Sequence, residues 1–554
     1  MKDFLKGLIC EALERAMNAG DLSIPDVPDP HVESPRDDGH GDLATNVAMT
    51  LAKAARRPPR EIADAIVRHL DDRAGAVREV EIAGPGFINF TFSDAAWRER
   101  LLSIIAAGDD YGSCALGEGR RIQVEFVSAN PTGPLHIGHG RGAATGDALA
   151  RILEAAGYDV DREYYVNDAG GQMEVLGRSV RARYLQCLGR DEPFPDDGYP
   201  GDYVTELAGE LVDVEGDRWL GAEPAEAVEH MARWAGARML ERIRADLEAF
   251  GIRFDHFTSE RCLREDGTVA AGIERLREAG HLYDEAGALW FRSTEFGDDK
   301  DRALVKSDGQ LTYFAADVAY HHGKLVRGYD LVIDIWGADH HGYIKRVEAA
   351  LAAVGEDPRR LEVVLVQIVN LTRDGVPMKM GKRTGTFVAL ADVVDEVGAD
   401  LARFFFLMRK SDAQLDFDLE LARRQTAENP VFYVQYAHTR IAGIFRQAAE
   451  RGVALPDAAS ATVAALGNED EIGLIKVLDE FPAVVEAAAT SHEPHRVVFY
   501  AQRLAGEFHR FYTRNKCVSD DAELTAARLL LVGAVKQVIG RALTLVGVSA
   551  PERM

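Results

Sequence analysis

The densest capacity for chemistry in this 554-residue chain lies at His136-Ile137-Gly138-His139. Two imidazoles one helical turn apart point the same way and can each donate a hydrogen bond, while Gly138 and Gly140 leave the backbone open to a ligand. At a helix start, where unpaired amides carry partial positive charge, this group suits a phosphate chain that gains charge in a transition state. The same residues allow other readings. Histidines at i and i+3 suit a metal pair, although no third ligand lies nearby in sequence. Gly138-x-Gly140-x-x-Ala143, with Asp159 or Asp161 roughly 20 residues on, fits a dinucleotide fingerprint. That fingerprint needs neither the two histidines nor the prolines ahead of them.

Carboxylates form the second group. Glu125 falls in an apolar stretch, Ile122 to Val127, with the period of a strand. A glutamate in a strand covered on both faces is expensive to bury unless paired, so either a cationic ligand or an internal arginine would account for it. Tyr313 and Asp317 stand at i and i+4 near a helix start, and Asp339-His340-His341 closes the apolar run Leu331 to Trp336. His340 and His341 suit a nucleotide or a metal, and His321-His322 reads as structural. The third group is the loop Val376 to Phe387, where Lys379, Lys382 and Arg383 suit a clamp on phosphates or a solvated basic surface. It is not a P-loop: Gly375 and Gly381 are one residue too far apart, and Arg383 stands where a hydroxyl residue would bind magnesium.

The elements needed to position these groups are legible. The strand ends at Asn130-Pro131-Thr132-Gly133-Pro134, where two prolines forbid its continuation. Leu149, Ile152, Leu153 and Ala156 share one helix face, Gly157 provides a cap, and Asp161 to Val166 gives the next strand. This is a βαβ unit of a doubly wound fold, whose ligand site lies beyond the carboxyl end of the first strand. Before it, residues 1 to 107 read as a small α+β domain, with helices over Phe4 to Ala19, Gly41 to Ala55 and Glu61 to Leu70, then two strands around Gly84-Pro85-Gly86. After it, the Asp-, Pro- and Gly-rich stretch from Gly189 to Gly221 and a helical run from Ala225 to Phe250 form an insertion of about 185 to 250 in the catalytic unit 118–388. The second half of that unit begins near Ile252. From residue 389 to 554 the chain reads as helical, with a small-residue linker at Asp457 to Ala461. Aromatic and cationic residues interleave there at Tyr433, Tyr436, His438 and Arg440, and again from Phe508 to Lys516, as unstacked RNA bases and phosphates would require.

On these residues the chain resembles the class I aminoacyl-tRNA synthetases. SANPTGPLHIGHG, with VEF before it and YYVNDAGGQ after it, is similar to the HIGH region of the bacterial arginyl enzymes. Lys379-Met380-Gly381-Lys382-Arg383 stands where that family has KMSKS, with Gly381 in place of the first serine and Arg383 in place of the last. Asp395 to Leu407 resembles the DALR-type helix, and His40-Gly41-Asp42, Thr45-Asn46 and Gly84 to Asn89 resemble the family's extra N-terminal domain, which contacts the tRNA elbow. The resemblance implies a class I Rossmann-type α/β catalytic domain with a parallel sheet, an α+β N-terminal domain and an all-α C-terminal anticodon-binding bundle. It implies ligation of arginine to tRNA(Arg) through an adenylate, with ATP and Mg2+ and with tRNA required before arginine is activated. The catalytic residues would be His136, His139, Lys379 and Lys382. Pro134, His136, Gly138, His139, Gly140, Asp339, His340, Met380 and Lys382 would hold ATP. Glu125, Ser128, Asn130, His139, Tyr313, Asp317 and Asp339 would hold arginine, a planar guanidinium wanting carboxylates for bidentate bonds and an aromatic face. Asn46, Tyr433, Tyr436 and Arg440 would contact tRNA.

Composition narrows the alternatives. Hydrophobic residues make up 47% and charged residues 28% of the chain, as in a soluble globular protein. No apolar run reaches the ~18 residues of a membrane span, and Met1-Lys2-Asp3 leads into an amphipathic helix, so a cytoplasmic protein with no membrane partner is expected. Cys10, Cys114, Cys187, Cys262 and Cys517 are scattered, so neither structural zinc nor a disulfide framework is expected. The net charge of −26 requires a tRNA enzyme to gather its cations on one face. A monomer without DNA partners is expected. A class I enzyme for another amino acid, a silent RNA-binding paralogue and an NAD oxidoreductase are the competing functions.

Overall fold

The computed structural model describes the chain except residues 36–37, 379–387, 427 and 457–462. The N-terminal domain begins with helix α1 (Lys2–Asn18), whose Leu5, Leu8, Ile9, Ala12, Leu13 and Ala16 repeat at helical spacing and are buried. Strands β1 (Val32–Glu33) and β2 (Leu43–Thr45) precede α2 (Val47–Ala55) and α3 (Pro59–Arg68), and β3 (Val77–Ala83) and β4 (Phe87–Phe92) close an antiparallel sheet of order β1-β2-β4-β3. The expected helix over Gly41 to Ala55 is thus a short strand followed by a shorter helix. Leu43, Ala44 and Thr45 are all buried and pair with Phe90, Asn89 and Ile88, a tertiary pairing that outweighs their local helix preference. Helix α4 (Asp94–Ala106), capped by Ser93, leads out of the domain.

The catalytic unit holds β5 (Arg121–Glu125), α5 (Ile137–Ala155), β6 (Asp159–Val166), α6 (Gly171–Cys187), α7 (Asp202–Glu215), α8 (Pro224–Ala249) and β7 (His256–Ser259). It continues through α9 (Glu260–Glu265), α10 (Thr268–Glu278), the antiparallel trio β8 (Leu282–Glu285), β9 (Ala288–Phe291) and β10 (Arg302–Val305), then α11 (Tyr313–Val326), β11 (Leu331–Gly337), α12 (Ile344–Ala353) and β12 (Leu361–Val366). Strands β12-β11-β5-β6-β7 form one sheet, parallel throughout. The first strand therefore sits between the second and the fourth, and the order reverses between β5 and β11. That reversal opens the ligand crevice at the carboxyl ends of these two strands. Helix α5 packs tightly onto β5 because Gly146 has no side chain: a Cβ there would lie 2.2 Å from the Phe126 ring. Helices α6, α7 and α8 bury a separate core around Leu176, Tyr184, Leu207 and Met231, so α7 and α8 of the expected insertion pack with α6, which precedes it.

Beyond β12, β13 (Val369–Arg373) pairs with β14 (Val376–Pro377) and, in parallel, with β15 (Leu415–Asp418). Strand β15 interrupts a stretch read as helical. Its Leu415 and Phe417 are buried and its Asp416 is exposed, a strand alternation too short to outvote the helices around it. Helices α13 (Leu390–Val397), α14 (Ala399–Phe406) and α15 (Leu419–Arg423) flank it. Then come α16 (Pro430–Glu450), started by the Asn429 cap and Pro430, α17 (Glu469–Asp479), α18 (Phe481–Ser491), α19 (His495–Arg514) and α20 (Ala522–Leu545). The bundle packs against α4, and Arg98 reaches from there to the Ala464 and Leu466 carbonyls at 3.1 and 2.8 Å. The linker expected at Asp457 to Ala461 lies outside the described residues. No helix of the described residues is long and apolar enough to cross a membrane.

Candidate active site

The two histidines are locked to the start of α5. His136 is its N-cap: the Gly138 amide donates to His136 Nδ1 at 3.1 Å, and the His136 amide donates to His139 Nδ1 at 3.2 Å. The rings stack with centroids 3.7 Å apart. An imidazole whose Nδ1 accepts a backbone N–H carries its own proton on Nε2. A neutral imidazole held in this way has an Nε2–H donor, which suits phosphate oxygens. The glycines have a further reason besides the one expected. A Cβ at Gly138 would press on the His136 ring at 3.0 Å, and one at Gly140 would lie 2.6 Å from Leu390 and 3.0 Å from Phe406. They make room for the imidazole and for α13 and α14.

Lys379, Met380 and Lys382 lie outside the described residues, but the flanks of their segment are placed. Met378 is tied to Leu371 by a 2.9 Å backbone bond. On the far side the Ile137 amide donates to the Val388 carbonyl at 3.3 Å, the Leu390 amide to the Leu135 carbonyl at 2.8 Å, and His136 bridges Ala389. The end of the basic segment is thus stitched to the histidine turn.

Between β5 and α11 lies a buried polar cluster. Backbone strain shapes its rim: Val127 (φ 67°) and Ser128 (φ 39°) are consecutive non-glycine residues in the left-handed region, uncommon anywhere and costly for a β-branched valine. The turn brings the Ser128 hydroxyl to Glu125 Oε1 at 2.7 Å and lets the Tyr165 amide donate to Ser128 Oγ at 3.1 Å. Glu125 does not depend on a ligand for its burial. Lys324, fully buried on α11, donates to Glu125 Oε2 at 2.5 Å, and the Tyr320 hydroxyl donates to the same oxygen at 2.8 Å. The internal partner is a lysine from 199 residues away instead of an arginine. Lys324 also reaches Asp334 Oδ1 at 2.7 Å, and His321 Nε2 meets Asp334 Oδ2 at 2.9 Å while its Nδ1 donates to the Asp317 carbonyl at 2.8 Å. Burial and Lys324 oppose a charged imidazole here, yet the bond and attraction to Asp334 outweigh them and raise the His321 pKa. The Tyr320 hydroxyl also lies 2.9 Å from Glu163 Oε1, so its one proton is shared between the two glutamates, and Arg327 pairs with Glu163 Oε2 at 2.7 Å.

Asp317 is different. Its carboxylate accepts the Tyr343 hydroxyl, but among the described residues no cation stands within ion-pair distance of it. Burial pushes its pKa above the usual carboxylate range, with nearby His321 and the Tyr343 bond pulling the other way. Burial raises the Tyr165 phenol pKa, the charges of Glu260, Asp317 and Glu125 adding to it, and the Tyr165 ring packs 4.4 Å from that of Tyr320. Tyr313, the first residue of α11, is half exposed, with its hydroxyl against Gly170. Asn130 donates to Gln172 Oε1 at 2.6 Å, and Pro134 sits just before the histidine turn. Asp339 and His340 lie exposed beyond the end of β11, at the same crevice, with His340 Nε2 3.8 Å from Asp339 Oδ2.

Sequence reasoning missed Tyr165, Glu163, Tyr320, Lys324 and Asp334. A signal was there: Asp317, Tyr320, His321 and Lys324 fall at i, i+3, i+4 and i+7, a polar stripe along an otherwise apolar helix. Of the two histidines read as structural, His321 is bonded to Asp334 and His322 stands 3.4 Å from Glu356.

Farther away, Arg440 lies over the Tyr436 ring at 4.6 Å and the Tyr512 ring at 4.9 Å, and Tyr433 meets His509 with centroids 4.5 Å apart. The two interleaved runs of the bundle thus meet in one cation–aromatic cluster. Phe508, Phe511 and His438 belong to the core instead. In the N-terminal domain Asn46 is the N-cap of α2, and Asp42 binds Lys476 of α17 at 2.5 Å, so that motif joins the domain to the bundle.

Comparison with known proteins agrees with this arrangement. Residues 3–92 match the family model "Arginyl tRNA synthetase N terminal domain", 100–193 and 227–441 match "tRNA synthetases class I (R), catalytic domain", and 434–554 match "DALR anticodon binding domain". The chain is 51% identical to the arginine–tRNA ligase of Citrifermentans bemidjiense over 555 aligned residues, covering 100% of both chains. It is 51% identical to that of Syntrophotalea carbinolica, again with 100% coverage of both. Among solved structures, a putative arginyl-tRNA synthetase from Campylobacter jejuni superposes with a TM-score of 0.77 at 37% identity, covering 84% of this chain and 100% of the other. The Thermus thermophilus arginyl-tRNA synthetase, at 23% identity, shares the fold with a TM-score of 0.77 over 100% of both chains.

Proposed function

The chain belongs to the arginyl-tRNA synthetase family, and from that premise we propose how its residues divide the reaction. Its activity is the ATP-dependent ligation of L-arginine to tRNA(Arg) through arginyl-adenylate, in the service of translation. The arginine carboxylate attacks the α-phosphorus of ATP, pyrophosphate leaves, and a terminal ribose hydroxyl of the tRNA then takes the arginyl group.

Such chemistry asks the protein mainly for alignment and charge stabilisation. His136 and His139 turn Nε2–H donors toward the phosphates, and Lys379 and Lys382 close over them from a segment tied at Val388 to Leu390 to the histidine turn. Pro134, Gly138 and Gly140 shape the turn, with Met380, Asp339 and His340 at the nucleotide. Mg2+ enters with ATP as part of the substrate. Asp317 and Glu125 Oε1 take the guanidinium, Tyr313 offers its ring, and Ser128, Asn130, His139 and Asp339 frame the amino-acid backbone. Tyr433, Tyr436 and Arg440 meet the anticodon end of the tRNA, and Asn46 its elbow. The enzyme acts as a cytoplasmic monomer, away from membranes and DNA.

The observation that carries this division is the pair of Nδ1-capped histidines standing at the same strand-order reversal as the Asp317 pocket. It is tested by arginine-dependent exchange of pyrophosphate into ATP, with and without cognate tRNA. Exchange that responds to arginine and is lost in Asp317→Asn at ordinary arginine concentrations supports it. Exchange indifferent to Asp317 removes that residue from the pocket.

A further inference from the structure

Each carboxylate behind the pocket has a basic partner: the buried Glu125 and Asp334 meet the buried Lys324 at 2.5 and 2.7 Å, Asp334 also faces His321 at 2.9 Å, and the buried Glu163 pairs at 2.7 Å with Arg327, which reaches the surface. Glu125 is also geometrically half spent. Its Oε2 already faces Lys324 Nζ and the Tyr320 hydroxyl, whose one proton it shares with Glu163 Oε1, while among the described residues Oε1 is met by the Ser128 hydroxyl. Lys324 Nζ further lies 4.5 Å from the centre of the Tyr320 ring, which packs 4.4 Å from Tyr165. These contacts fix the pair in place from three sides.

We infer that Lys324 and Tyr320 are positioning residues for amino-acid selection: they occupy Oε2 of Glu125 and pair its charge, so that a guanidinium meets Glu125 through Oε1 alone and finds its counter-charge on Asp317. The pocket then carries one carboxylate without an ion-pair partner among the described residues for one cationic substrate, and recognition divides into charge at Asp317 and direction at Glu125. This rests on the assignment of Glu125 and Asp317 to the arginine pocket. Without Lys324, Glu125 and Asp334 are left sharing a buried space, and one of them must take a proton or turn away. Glu125 Oε1 would lose its aim.

The test is the arginine dependence of tRNA charging by the full-length chain, with ATP dependence measured in parallel. Lys324→Ala is expected to raise the KM for arginine roughly tenfold or more, the loss of a charged hydrogen bond's guidance, with the KM for ATP and kcat little changed. Propylammonium, which refills the cavity with a cation, should restore the arginine KM, and its uncharged isostere propanol should not. Tyr320→Phe, which keeps the charge balance and the fold, should raise the same KM by a smaller factor and decides the matter if Lys324→Ala does not fold. Unchanged arginine KM in the folded variants, or equal losses toward arginine and ATP, would overturn the inference. Asp317→Asn separates the two levels: if it leaves the arginine KM unmoved, the pocket assignment itself fails, and if it alone raises that KM, the positioning role fails by itself.

Discussion

Asp147 on α5 and Arg403 on α14 are bonded to each other in the interior, although 256 residues separate them in sequence. Arg403 is 1% exposed and also donates to the Phe250 carbonyl at 3.1 Å and the Val546 carbonyl at 3.3 Å. The helix that begins with the two histidines is thereby fastened to the end of α8 and to the C-terminal end of α20. Gly547 permits the approach, since a Cβ there would collide with the guanidinium.

Arg403→Met should therefore unfold the protein more easily by roughly 3–5 kcal/mol, because it strands a buried carboxylate and two carbonyls. Asp147 keeps Arg151 at 2.8 Å, so the value should fall toward the lower end. Denaturant titration checks this. The double variant Asp147→Asn/Arg403→Met should be less damaging than the sum of its single changes, and strict additivity would show that the two groups do not couple.

The raised pKa of Asp317 gives two signs to measure. Its folded value lies above the unfolded one, so its ionisation costs the ligand-free protein stability once the pH rises past the ordinary carboxylate range, about 4. Asp317→Asn should stabilise the ligand-free enzyme by about 1 kcal/mol at neutral pH, a gain that fades on acidification.

Arginine binding runs the other way. A guanidinium favours the ionised carboxylate, so the arginine KM should rise as pH falls through the ligand-free pKa of Asp317, starting above the usual carboxylate range. In Asp317→Asn that part of the profile should be flat. A wild-type KM independent of pH down to the ordinary carboxylate range would refute the assignment.

The two nitrogens of His136 can be tested separately. His136→Asn keeps an acceptor for the Gly138 amide but lacks the outward donor, so adenylate formation should slow by roughly 100-fold with little change in melting temperature. His136→Gln reaches the position of Nε2 but loses the short cap. It should retain more activity and cost about 1 kcal/mol of stability. The reverse ranking would mean that capping, not donation, is what the residue does.

Arg440→Ala removes the cation between Tyr436 and Tyr512. If the cluster meets RNA, the KM for tRNA should rise and the salt dependence of binding should drop by about one unit of slope. Lower thermal stability with unchanged tRNA affinity would make the cluster purely structural.

What the sequence by itself determined is whatever depends on neighbours along the chain. The prolines that end β5, the glycine that ends α5 and the histidine spacing are local rules, and they placed the βαβ unit and the histidine turn at the start of α5. Motif resemblance extended this to the family, because a binding loop keeps its residue types at fixed spacing. The tertiary structure alone decided who pairs with whom. Glu125 looked in need of a cationic ligand because nothing near it in sequence could neutralise it, and the fold supplied Lys324 from α11. Strands β2 and β15 took strand form because partners were waiting in β4 and β13, although their own residues are too few to announce it. A buried charge is satisfied through space, at hydrogen-bond distances that sequence separation does not measure. For that reason Asp317 became the one carboxylate of the pocket without an ion-pair partner among the described residues only once the chain had folded.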